Sequence, residues 1–159
     1  MTELTTLQNI YGYSTPRLTS DPLDLPSVGG VVSDFAKELG VPLLPWQEFV
    51  CNEALKVTPD GKWARSLNGV LVSRQNGKTH LMRMVMLSHL YIFGSRQIIA
   101  MSQTRQLSLD TFKNAVELAE SLEWTRKRIK RVSRTNGQEE LEIYCHHYPK
   151  SCNEKCQRV

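Results

Sequence analysis

The chain has 159 residues, 40% of them hydrophobic and 23% charged, with a formal net charge of +4. That length supports a real core but not two large domains, and the composition excludes a disordered or fibrous chain. The mild basicity permits a nucleic-acid partner without demanding one, and no run approaches the roughly 20 apolar residues that a bilayer crossing needs. No basic-then-apolar leader pattern opens the chain, so a cytosolic protein is the simplest expectation.

Residues 1 to 30 carry Pro16, Pro22, Pro26, Gly29 and Gly30 in a short space, and little regular structure is expected there. From Val31 to Leu39 the apolar residues Val32, Phe35, Ala36 and Leu39 share one helical face, and Gly40 suits the C-cap. Pro45 fits the first turn of a second helix that continues through Trp46, Phe49, Val50 and Leu55, and Asp60-Gly61 is a turn. Val70-Leu71-Val72 then reads as a short strand buried on both faces, followed at once by Ser73-Arg74-Gln75-Asn76-Gly77-Lys78-Thr79. A helix from Thr79 to Phe93, stopped by Gly94, leads to a second apolar strand, Gln97 to Met101. Ser102 or Thr104 can cap a third helix whose core face is Leu109, Phe112, Val116 and Ala119. The order strand, loop, helix, strand, helix predicts an α/β domain with a parallel sheet flanked by helices. Beyond the basic run Arg126 to Arg131, Asn136-Gly137 signals a β-hairpin near the C-terminus.

The segment ending in Gly77-Lys78-Thr79 matches the second half of a phosphate loop, between an apolar strand and a long helix. A glycine lets the backbone approach a polyphosphate, helix N–H groups face the anion, the lysine contacts β- and γ-phosphates, and the hydroxyl suits Mg²⁺. The first glycine of the full pattern is replaced by Val72. Without the phosphate reading, these residues would be a helix N-terminus with an exposed lysine.

The same residues resemble the deviant phosphate loop of the large terminase subunit of tailed bacteriophages, in which the first glycine is commonly replaced and an arginine stands early in the loop. Val41-Pro42-Leu43-Leu44-Pro45-Trp46-Gln47 is similar to that family's segment upstream of the loop, and Ile98 to Gln106 to the strand and turn after its first helix. The likeness runs from about residue 15 to 144. It implies an incomplete P-loop NTPase domain that binds ATP and Mg²⁺, with Ser73, Arg74, Gln75, Asn76, Gly77, Lys78 and Thr79 around the phosphates. Arg74 would stabilise the γ-phosphate, Thr79 would ligate Mg²⁺, and Gln47 would contact adenine. A surface ion pair for Arg74 and a simple helix-capping role for Gln47 are the plainer alternatives.

By this resemblance the chain divides into an N-terminal extension and helix (1–40), a partial ATPase domain (41–144) and an aberrant tail (145–159). It would belong to the motor that packages double-stranded viral DNA in the cytoplasm of the bacterial host, with the small terminase subunit and the portal protein as partners. The basic run Arg126 to Arg131 suits either a DNA backbone or a solvated helix end. No apolar strand here ends in the Asp-Glu pair that ATP hydrolysis needs, so truncation by a frameshift, intron or insertion is expected. A nonenzymatic remnant that binds ATP or DNA weakly and a helicase-like translocase are the alternative functions. Cys145, His146, His147, Cys152 and Cys156 have ligand types that suit zinc but irregular spacings.

Overall fold

A computed structural model describes residues 13–135 and 137–144, and the backbone of 157–158. The chain falls into two compact units, Met1–Leu81 and Met82–Val159. The division lies inside a helix, Lys78–Tyr91. The two helices flanking residue 40 pack together in the first unit.

Helix α1, Gly29–Glu38, turns Val32, Phe35 and Ala36 inward as the 3.6-residue period demands. Its end is closed by a Schellman motif: Gly40, at φ +74°, donates to Lys37 O, and Val41 donates to Ala36 O. Helix α2, Pro45–Ala54, begins on its proline and buries Cys51. The two helices approach so closely that a Cβ on Gly29 would lie 2.4 Å from the backbone of Cys51. A partly buried hydrogen bond from Ser33 Oγ to Glu48 Oε1 also joins them. Val32, Phe35, Leu39, Leu43, Cys51 and Leu55 form the core of this unit.

Helix α3, Lys78–Tyr91, is followed in the second unit by α4, Arg105–Ser121, and the short α5, Glu123–Lys127. Thr104 caps α4, its hydroxyl accepting from Leu107 N–H. Strands β1, Ile129–Thr135, and β2, Gln138–Ile143, form an antiparallel hairpin, and the two-residue β3, Gln157–Arg158, pairs with β2. Met84, Leu87, Leu90, Tyr91, Val116, Ala119, Leu141 and Ile143 are the most deeply buried apolar residues of this second unit.

The sheet is antiparallel, and the described residues contain no parallel one. Val70-Leu71-Val72 and Gln97 to Met101, read from sequence as buried parallel strands, are not strands here. Leu71 is fully exposed, Ile99 75% and Met101 89% exposed. Apolar runs of this kind become central strands only when neighbours pair both edges and cover both faces. Among the described residues Val70 to Val72 forms no ladder and the second run has only a bridge at Gln97, so tertiary context overrides the pattern. In consequence Leu109 and Phe112 on α4 are only half-buried, whereas Val116 and Ala119 reach the core.

Candidate phosphate-binding site

All the residues singled out as a phosphate site lie in the first unit, on the end of the 70–77 loop, the first turn of α3 and the start of α2. Gly77, at φ +81°, turns the chain into α3, and its carbonyl accepts the N–H of Leu81. Gln75 also has a positive φ, 62°, which is unfavourable for a residue with a Cβ. Between them Asn76 holds the loop from inside, its Nδ2 donating to Ser73 Oγ and to Arg74 O. The first-turn N–H groups of α3 have no acceptor within their own helix, as at any helix start.

Lys78 does not extend into solvent. Its ammonium folds back across the loop and donates to Val72 O and, at 2.9 Å, to Ser73 O. The loop therefore closes on its own lysine, and the cation sits among the residues that would cradle an anion. Thr79 follows with its side chain exposed in the first helical turn, and Arg74 is exposed at the tip of the loop. Ser73, Gln75 and Asn76 are exposed as well.

Gln47 is placed differently from these. It is the third residue of α2 and has no exposed surface. Its Oε1 accepts the N–H of Leu44 at 2.7 Å, one half of a capping box, since leucine has no acceptor to supply the other half. Its Nε2 donates to Gly77 O at 2.9 Å, and a Cβ on Gly77 would lie 2.7 Å from that nitrogen. One side chain thus ties the start of α2 to the turn of the loop. The capping alternative is present in the structure, joined to a loop contact that spacing alone did not reveal. His80 adds a second tie, its Nε2 lying 3.1 Å from Val41 O.

A groove of about 1260 Å³ adjoins the loop, lined by Trp46, Phe49, Arg17, Arg65 and loop residues that include Ser73, Asn76 and Gly77. Trp46 and Phe49 are three positions apart on α2, so they share a face, and that spacing is the sequence signal by which they could have been found. Arg65 donates to Asp21 O at 2.6 Å, which holds its guanidinium along the groove wall.

The residues present fit a polyphosphate: a glycine without room for a side chain, a cation inside the loop, a helix start and an exposed hydroxyl. Among the described residues no three His, Cys, Asp or Glu side chains cluster to hold a metal. The possible zinc ligands Cys145, His146, His147, Cys152 and Cys156 lie outside the described residues. In the second unit, the basic run Arg126 to Arg131 is not one solvated face. Arg126 and Lys127 sit in the last turn of α5, Arg128 turns inward to donate to Tyr91 O at 2.7 Å, and Lys130 pairs with Glu142 at 3.5 Å. No described helix is long and apolar enough to cross a membrane.

No family model, no curated protein and no solved structure matches this chain.

Proposed function

We propose that the 72–79 loop is a phosphate loop for ATP, and that the chain is the N-terminal ATPase portion of a phage terminase large subunit. The observation that carries the reading is Lys78, at the first position of a helix after a positive-φ glycine, with its ammonium drawn back onto the carbonyls of Val72 and Ser73. A helix start, a side-chain-free turn and a cation held beside them are what a polyphosphate needs. The order of the three quoted motifs supports the finer identity.

In this reading Lys78 exchanges its two carbonyl partners for the β- and γ-phosphate oxygens. The Thr79 hydroxyl would ligate Mg²⁺, which screens the phosphate charge when bound. Arg74, at the loop tip, brings a guanidinium to the γ-phosphate, where its planar fork suits bidentate contact. Ser73, Gln75, Asn76 and Gly77 supply backbone and loop shape. Double-stranded viral DNA, the small terminase subunit and the portal protein are the partners that go with this identity, in the host cytoplasm.

No apolar run in the sequence is followed by an Asp-Glu pair, the element that this reading would need to polarise an attacking water. Nucleotide binding without motor-rate turnover is the expected behaviour. A fluorescent ATP analogue with Mg²⁺ tests this: Lys78→Ala should weaken binding about tenfold or more, the cost of one charge-assisted contact. Equal binding by wild type and Lys78→Ala would sink the proposal. Rapid ATP turnover by the purified chain would sink the claim that hydrolysis is missing.

A further inference from the structure

We infer that Gln47 is a positioning residue that shapes the phosphate loop and does not read the base, so that the site takes nucleoside triphosphates with little regard to base identity. This rests on the phosphate-loop reading above and deepens it. Reading a base edge requires an amide that presents its oxygen and nitrogen outward as a directional pair. Both ends of the Gln47 amide are turned inward: Oε1 on Leu44 N–H at 2.7 Å and Nε2 on Gly77 O at 2.9 Å. The two partners also lock its orientation, because a flip would set oxygen against the Gly77 carbonyl and NH₂ against the Leu44 N–H. The side chain has 0% exposure, so neither its remaining N–H nor its remaining lone pair faces the groove.

What Gln47 does control is Gly77. That carbonyl accepts from Leu81 N–H and from Gln47 together, so both of its lone pairs are used. The same glycine immediately precedes Lys78, whose ammonium closes the loop. Loss of the amide would free the turn from which the lysine projects. The groove beside the loop supplies the other half of the inference. Trp46 and Phe49 line it, and aromatic side chains can stack with any base.

The experiment is calorimetric titration of the full 159-residue chain with Mg²⁺–ATP and Mg²⁺–GTP, on wild type, Gln47→Ala, Gln47→Glu and Lys78→Ala. Wild type should bind the two nucleotides within about threefold of each other, a result that needs no variant. Gln47→Ala and Gln47→Glu should each weaken both nucleotides by the same factor, about tenfold, with the ATP-to-GTP ratio unchanged. Circular dichroism should show their helical signal retained, which separates a loosened loop from an unfolded chain. A wild-type preference for ATP of about tenfold or more that disappears in Gln47→Ala overturns the inference and restores Gln47 as a base reader. Failure of either nucleotide to bind, or equal binding by Lys78→Ala, overturns instead the phosphate-loop reading on which the inference stands.

Discussion

Gln75 holds a φ of 62° without being glycine, and it does so inside the loop that closes on Lys78. A left-handed backbone costs an ordinary residue roughly 1–2 kcal/mol, and a β-branched side chain suffers most. Gln75→Gly should therefore be more stable than Gln75→Val by about 1 kcal/mol or more, as read by chemical denaturation. Cys51 is 1% exposed, and burial, with Glu48 nearby, pushes its thiol up to about 11. At pH 8 it should resist alkylation in the native protein and react in denaturant, which peptide mapping of residue 51 would show. His89 is held below its ordinary 6.5 by desolvation. The unfolded chain then takes up the proton first as pH falls. The His89 contribution to stability is thus present above about pH 6.5 and lost as pH drops below it. The melting temperature of wild type should fall more steeply from pH 7.5 to 5.5 than that of His89→Gln.

At the scale of elements, the α1–α2 crossing depends on Gly29, where an added Cβ would meet the Cys51 carbonyl carbon and oxygen at 2.4 Å. Backbone cannot yield as a side-chain tip can. Gly29→Ala should destabilise the chain by roughly 1–3 kcal/mol through overpacking, measured by urea denaturation. The hairpin shows why a basic run need not be a binding face. Lys130 on β1 pairs with Glu142 on β2 at 3.5 Å, and Glu139 on β2 takes Arg105 of α4 at 2.8 Å, so the hairpin's carboxylates offset part of the basic charge. Arg128 serves a third purpose, its guanidinium 5.4 Å from the Tyr91 ring centroid and bonded to the carbonyls of Tyr91 and Tyr144. Arg128→Lys should not rescue the loss seen in Arg128→Ala, because an ammonium cannot span two carbonyls and a ring face in that geometry.

For the whole molecule, the notable surface is apolar. In the second unit a groove of about 480 Å³ is lined by Ile99, Met101, Leu109, Phe112, Met86 and Leu141. Exposed apolar ground of this kind binds hydrophobic dyes. The native chain should raise the fluorescence of anilinonaphthalene sulfonate, and an Ile99→Ser, Met101→Ser variant should reduce the signal without loss of helical circular dichroism. An unchanged signal would show that this groove is closed in solution.

The helices were legible because their causes are local. A 3.6-residue apolar period, Pro45 at a first turn, Gly40 in a left-handed cap and Thr104 as N-cap act within a few residues of themselves. The same holds for the turn at Gly137, where a positive φ of 84° is set by the residue type. In the candidate site the chain alone placed Gly77, Lys78 and Thr79 at a helix start. It did not reveal that Gln47, thirty positions earlier, bonds to Gly77, nor that Lys78 folds onto Val72 and Ser73. Those contacts depend on where separate segments meet. Strand status for Val70 to Val72 and Gln97 to Met101 also belonged to tertiary structure, since a β-strand is completed only by partners distant in the chain. Apolar residues without such partners stay exposed, as Leu71 and Met101 do.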